Sequence, residues 1–136
     1  MPLRPRQKEL LASSSVDIPY GEWADFLRDF SGRYRGCPVR LDTDDLQTGE
    51  QVKSGWLPLQ KIELDLEDAQ NPRINVIVAM DNKTIKHILY RPTRLVLYLS
   101  PEGNDEAVGI ESQNVSTVVR VRAWVEHGIG FMPSLI

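Results

Sequence analysis

At Gly36 the spacing of the apolar residues changes from a helical repeat to a repeat of two, and this switch limits the possible folds more than any other feature. Before it, Trp23, Phe26, Leu27, Phe30 and Tyr34 recur at intervals of three and four and so form one apolar stripe. Glu22, Asp25, Arg28, Asp29 and Arg33 fall on the other faces. The spacing predicts an amphipathic helix over 20–35. Pro19 is tolerated near its start, and Glu22 and Asp25 suit the positive end of the helix dipole. Arg33 and Arg35 suit the negative end, and Gly36 followed by Cys37 and Pro38 supplies the stop.

After Gly36 the alternation predicts strands. Val39 and Leu41 alternate with Arg40 and Asp42, and Ile62, Leu64 and Leu66 alternate with Lys61, Glu63, Asp65 and Glu67. Residues 47–54 are polar and read as a loop or a short edge strand. Residues 74–80 are almost continuously apolar and β-branched, as in a central strand. Two further strands, 84–90 and 94–99, read as a hairpin through Arg91-Pro92-Thr93, with proline at the turn corner. Residues 107–111 and 115–124 close the set as another hairpin.

The expected fold is therefore α+β: an N-terminal amphipathic helix packed on an antiparallel sheet of roughly five to seven strands, with a small open barrel as the curled variant. Residues 1–16, mixing Pro, Arg, Lys and Ser, read as a mobile arm. Residues 17–125 form a single domain, and 126–136 form an apolar tail without a clean period. A chain of 136 residues, 41% hydrophobic and 26% charged, has the length and composition for one buried core.

Composition also removes functions. A net charge of −3 argues against a nucleic-acid or anionic-membrane surface, which needs a field of Lys and Arg. No run reaches the ~18 apolar residues of a membrane-spanning helix. A single cysteine, Cys37, excludes an intrachain disulfide and fits a reducing, cytoplasmic compartment. One Cys and two histidines, His87 and His127, cannot build a Cys/His zinc site, so neither metal nor cofactor is expected. The stretch from Asp42 to Glu50 lacks the ligand and glycine that a calcium loop needs at Leu46 and Gln47, so it reads as a solvated acidic turn. Glu63, Asp65 and Glu67 share a strand face, but alternation with Ile62, Leu64 and Leu66 turns them toward water. That position gives no means of raising a carboxyl pKa for acid–base work. No nucleophile elbow, Walker loop or dinucleotide fingerprint is present.

Two places remain where a partner can bind. In the segment 86–94, Lys86, His87, Arg91 and Arg94 surround a tight turn, and an anionic small molecule or an acidic protein loop could dock there. The competing reading is a turn whose arginines neutralise the row from Glu63 to Glu67. Among the tryptophans, Trp23 belongs to the helix stripe. Trp56 enters a strand and Trp124 ends one, so either can serve as a rim or as a ligand platform. The tail residues Phe131, Met132, Leu135 and Ile136, with Ile129, need cover, either on their own domain or on a partner.

The order Glu22-Trp23, Phe26-Leu27, Phe30-Ser31 and Arg35-Gly36, then Leu57-Pro58-Leu59, His87-Ile88, Arg91-Pro92-Thr93-Arg94 and Ile110-Glu111-Ser112, resembles an uncharacterised bacterial family, the domain of unknown function numbered 5335. The likeness covers 18–122, and it implies a bacterial cytoplasmic protein with no activity to carry over. This chain departs from it in its longer amino-terminal arm, its apolar tail, and Cys37 where the family has a bulky residue.

Two functions follow as expectations. The first is a non-catalytic protein-interaction or regulatory module that binds protein, or a second copy of itself, through the tail or a sheet edge. The absence of every strong catalytic pattern favours it over an enzyme. The second is an anion-binding protein or enzyme built on His87, Arg91 and Arg94, with Lys86 beside them.

Overall fold

The computed structural model describes residues 14–113 and 115–122. Trp124, His127 and the whole apolar tail, with Phe131, Met132, Leu135 and Ile136, lie outside the described residues, as do residues 1–13. The elements are β1 (Ser14–Asp17), a 3-10 turn (Tyr20–Glu22), α1 (Trp23–Tyr34), β2 (Pro38–Asp45), β3 (Gln51–Lys53), β4 (Leu57–Asp65), β5 (Arg73–Met80), β6 (Lys83–Tyr90), β7 (Arg94–Leu99), β8 (Asp105–Glu111) and β9 (Val115–Val121). No helix among the described residues is long and apolar enough to cross a membrane.

The helix forms where its stripe predicts. Trp23, Leu27 and Phe30 are buried, with Phe26 and Tyr34 packed beside them. Gly36 ends the helix at a φ of 85°, a left-handed conformation that favours glycine. The turn is then held to β4, because the Gly36 N–H donates to the Leu59 carbonyl at 2.8 Å. Ser31 attaches the helix more firmly still. Its hydroxyl donates to the Ile62 carbonyl at 3.0 Å and accepts from the Ile62 N–H at 2.8 Å, so the helix serves the β4 backbone as a neighbouring strand would.

The strands form one antiparallel, nine-stranded sheet in the order β1-β7-β8-β9-β2-β4-β5-β6, with β3 paired to β2. This exceeds the expected five to seven strands. Part of the excess comes from residues 14–16, read as arm but found in β1, whose Val16 pairs with Leu97 of β7. The helix is consequently not the first element. β5 stands beside the edge strand β6; its near-continuous apolar run reflects Ile74, Val76 and Val78 in the core, with Asn75 buried on the opposite face.

The sheet folds back on itself. β4 pairs with β2 only at Pro38–Pro58 and Val39–Leu57, then passes a register irregularity between Leu59 and Lys61 as it pairs with β5. Beyond this corner β4, β5 and β6 face the larger layer. His87 of β6 lies within 3.1 Å of Thr117 of β9, although four strand steps, about 19 Å along a flat sheet, separate the two. Between the layers lie Val39, Leu59, Ile62, Ile74, Val76, Leu89, Leu95, Val108, Ile110 and Val119. Among the described residues, β1 and β6 do not pair, so the sheet stays open and does not close into a barrel.

The expected hairpin of 84–90 with 94–99 does not form. β6 pairs with β5, whereas β7 pairs with β1 and β8. Arg91, at a φ of 50°, and Pro92 carry the chain from one layer to the other, and the Thr93 N–H goes to the Glu111 carbonyl.

Candidate functional site

The longest stretch of the sequence without a carboxylate covers β6 and the link that follows it. From Asn82 to Pro101 there is no Asp or Glu, while Lys83, Lys86, Arg91 and Arg94 fall within that stretch. The two-residue loop Asp81–Asn82 starts β6 by setting Asp81 at a φ of 57°, which Asp tolerates better than most residues. β6 is an edge strand over eight residues, and Lys83, Thr84, Ile85 and Lys86 are all exposed. Among the described residues no strand pairs with its outer margin, which presents backbone N–H and C=O groups along that stretch. Toward its far end the margin meets the β8–β9 turn, where the Gln113 N–H approaches the Tyr90 carbonyl at 3.4 Å.

The period of two sends neighbouring side chains of β6 to opposite faces. Leu89 is buried in the core and His87 turns inward beside it, while Lys86 and Tyr90 are exposed on the other face. His87 is part of a short polar chain between the layers. Its Nε2 lies 3.1 Å from Thr117 Oγ1, which lies 3.0 Å from Thr43 Oγ1. Burial holds its pKa below the ordinary histidine value.

The structure does not bring His87, Arg91 and Arg94 onto one point. Arg91 donates to Asn71 Oδ1 at 2.6 Å, in a cleft of about 380 Å³ that Tyr90, Glu67, Asp68 and Arg73 also line. Two guanidiniums and two carboxylates leave that cleft without a net charge. Arg94 makes two hydrogen bonds of 3.0 Å to Asp17 of β1 and lies 3.5 Å from Glu111. The Asp17 carboxylate raises the Arg94 pKa, and Arg94 in return lowers that of Asp17.

The acidic row finds other cations. Lys61 pairs with Glu63 at 3.1 Å and Arg73 with Asp65 at 2.8 Å, with the Asn75 amide donating to both carboxylates. Glu63 is held below the usual carboxylate range, chiefly by the Asn75 hydrogen bond. Asp65 is lowered as well, first by the Glu67 backbone N–H. Both therefore remain ionised, the wrong state for a general acid. In the stretch read as a solvated acidic turn, Asp45 does cap the turn by accepting from the Gln47 and Thr48 N–H groups. Asp42 differs, being 1% exposed and gripped by Arg40 through bonds of 2.8 and 2.9 Å.

Trp56 stands apart from β6. Its ring has the Arg40 guanidinium 5.4 Å and the Arg122 guanidinium 5.2 Å from its centroid, and it is 37% exposed. The ring thus belongs to an arginine cluster on the outer face of β2 and β9. Cys37 is buried beneath the helix end. A depression of about 570 Å³ between α1 and β4, lined by Arg28, Gly32, Arg35 and Lys61, had no place in the sequence reading. The signal that marks it is the series Ala24, Arg28 and Gly32, four residues apart on one helix face.

No curated protein and no solved structure matches the chain. The sequence profile of a family of unknown function (DUF5335) does match, over residues 14–126, from the first residue of β1 to beyond β9. The chain therefore belongs to that family.

Proposed function

We propose that this chain is a non-catalytic protein-interaction module that takes an acidic, extended segment of another protein as an added strand along β6. One observation carries the reading: an eight-residue edge strand that no other strand pairs among the described residues, exposed from Lys83 to Lys86 and followed by a stretch without a carboxylate. Such an edge supplies main-chain hydrogen bonds to any extended peptide, and its side chains choose among peptides. Lys83 and Lys86 disfavour a second copy of the same edge by like-charge repulsion and favour acidic residues. Ile85 and Tyr90, both exposed, add apolar contact. The single cysteine suits a cytoplasmic setting. An anion site on His87, Arg91 and Arg94 has less support, since three different partners hold the three side chains.

The test is an NMR titration of the full chain with a peptide of about ten residues alternating Glu and Val. Amide shifts centred on 83–88, weakening with added salt and about tenfold weaker in the Lys83→Glu, Lys86→Glu variant, are the expected result. Absence of binding, shifts centred elsewhere, or equal binding of an alternating Lys and Val peptide would overturn the reading.

A further inference from the structure

We propose that the cleft between α1 and β4 binds a small amphipathic anion: a carboxylate or phosphate head on a short apolar body. The cleft has a volume of about 570 Å³, within the range of small-molecule sites. Ser31 fixes its two walls relative to one another through the paired hydrogen bonds to Ile62, so the cleft is formed before any ligand arrives.

Charge sets the sign of the occupant. Arg28, Arg35 and Lys61 line the cleft, against the single carboxylate of Glu63. Glu63 takes up Lys61, and Asp25, one turn away on the helix, takes up Arg28. Arg35 has no carboxylate partner among the described residues, so its fork is available for a head group with two oxygens. Ile77, partly buried and paired with Lys61 in the β4–β5 ladder, gives the cleft an apolar contact beside that cation, and Leu64 lines it from the other face of the ladder.

Gly32 gives an independent argument. A helix-interior glycine costs about 0.5–1 kcal/mol relative to alanine, and it normally answers a positive φ or a close backbone approach. Neither applies here. Its φ is not positive, and an added Cβ would meet nothing within 4 Å. Gly32 is exposed and lines the cleft, so a larger side chain at this position would take up part of its open space.

The experiment uses the full-length chain and four probes, octanoate, octyl phosphate, octanol and inorganic phosphate, followed by amide shifts and calorimetry. Octanoate or octyl phosphate shifts the amides of Gly32, Arg35, Lys61 and Ile62, while octanol and inorganic phosphate bind at least tenfold more weakly. Gly32→Leu fills the cleft and removes binding, Gly32→Ala reduces it in part, and Arg35→Glu weakens it about fivefold while Arg35→Lys keeps it within twofold. Thermal unfolding of each variant verifies that it is folded. Octanol binding as tightly as octanoate, wild-type binding by a folded Gly32→Leu variant, or the absence of cleft shifts with every probe would each overturn the proposal. These readouts lie on 24–35 and 61–64, away from the 83–88 amides that report the peptide.

Discussion

The imidazole of His87 and the hydroxyl of Thr117 lie 3.1 Å apart, joining the edge strand of the smaller layer to a middle strand of the larger one. Thr43 extends the contact, with its Oγ1 3.0 Å from that of Thr117. The contact lies between two largely apolar layers, and burial there favours the neutral imidazole.

Stability should therefore rise with pH through the histidine range. The folded state holds the His87 pKa below its unfolded value of about 6.5, so the unfolded chain binds the proton more readily. The contribution is complete above the unfolded pKa and is lost as pH falls toward the folded one. Urea unfolding between pH 5 and 7.5 should give a positive slope, and His87→Gln should flatten it. The lowered carboxylates Asp17, Glu63 and Asp65 act in the same direction but nearer pH 4, so the two windows separate. An unchanged slope in His87→Gln would show that the imidazole is not what titrates.

How far the sequence reveals this arrangement depends on which property a residue pattern encodes. Period encodes the face of an element, and so the Trp23, Leu27 and Phe30 stripe and the alternation of Ile62 and Leu64 lead directly to core residues, whereas Leu66, beyond the end of β4, is 47% exposed. Period does not encode a neighbour. The pattern of 84–90 followed by a proline turn and 94–99 is equally consistent with a hairpin and with a crossing between layers, and it is the crossing that occurs. β1 leaves almost no trace because Ser14–Asp17 is short, polar and exposed throughout. For the candidate site, Lys83 and Lys86 are legible as charge, whereas their place on a free edge follows only from strand order. Arg94 finds its carboxylate 77 residues away at Asp17, beyond any local pattern.

That pair should contribute little to overall stability and more to where the sheet begins. Arg94 and Asp17 are both well exposed, so Asp17→Asn should cost no more than about 1 kcal/mol in urea unfolding. The loss should concentrate on β1, which among the described residues shares its ladder with β7 alone. Amide exchange at 14–17 should quicken in the variant, while exchange at 95–97 on the β8 side should stay as in the parent chain. Uniform quickening across both strands would show that β1 does not open separately.

The arginine cluster at Trp56 should respond unequally to the loss of its two guanidiniums. Arg40→Ala removes the bidentate partner of Asp42, a carboxylate 1% exposed, and leaves Arg120 at 3.9 Å as its near cation. Removing a partner from a buried ion pair costs up to about 3–5 kcal/mol, less whatever Arg120 and the other contacts of Asp42 recover. Arg122→Ala removes a cation–π contact to a partly exposed ring, worth about 0.5–1 kcal/mol. Asp42→Asn should recover much of the loss in the Arg40→Ala background. Chemical denaturation of the three variants orders them, and similar values for Arg40→Ala and Arg122→Ala would show that Asp42 does not depend on Arg40.

Ser31 offers the most direct test of how the helix is joined to the sheet. β4 leaves β2 after Pro38–Pro58, and farther along its edge the Ile62 N–H and C=O are met by one hydroxyl of the helix. Ser31→Ala removes those two bonds from a site that is 8% exposed, offset by a gain in helix propensity of about 0.5 kcal/mol. Two backbone groups left without partners should cost about 1–3 kcal/mol, with Ser31→Thr recovering part of it if the added methyl group fits. Exchange of the Ile62 amide should rise with the loss, because its acceptor is the missing oxygen. A Ser31→Ala chain as stable as its parent, with Ile62 still protected, would mean that water or a shift of the helix can replace the hydroxyl. The cleft walls beside it would then be less firmly fixed than the geometry implies.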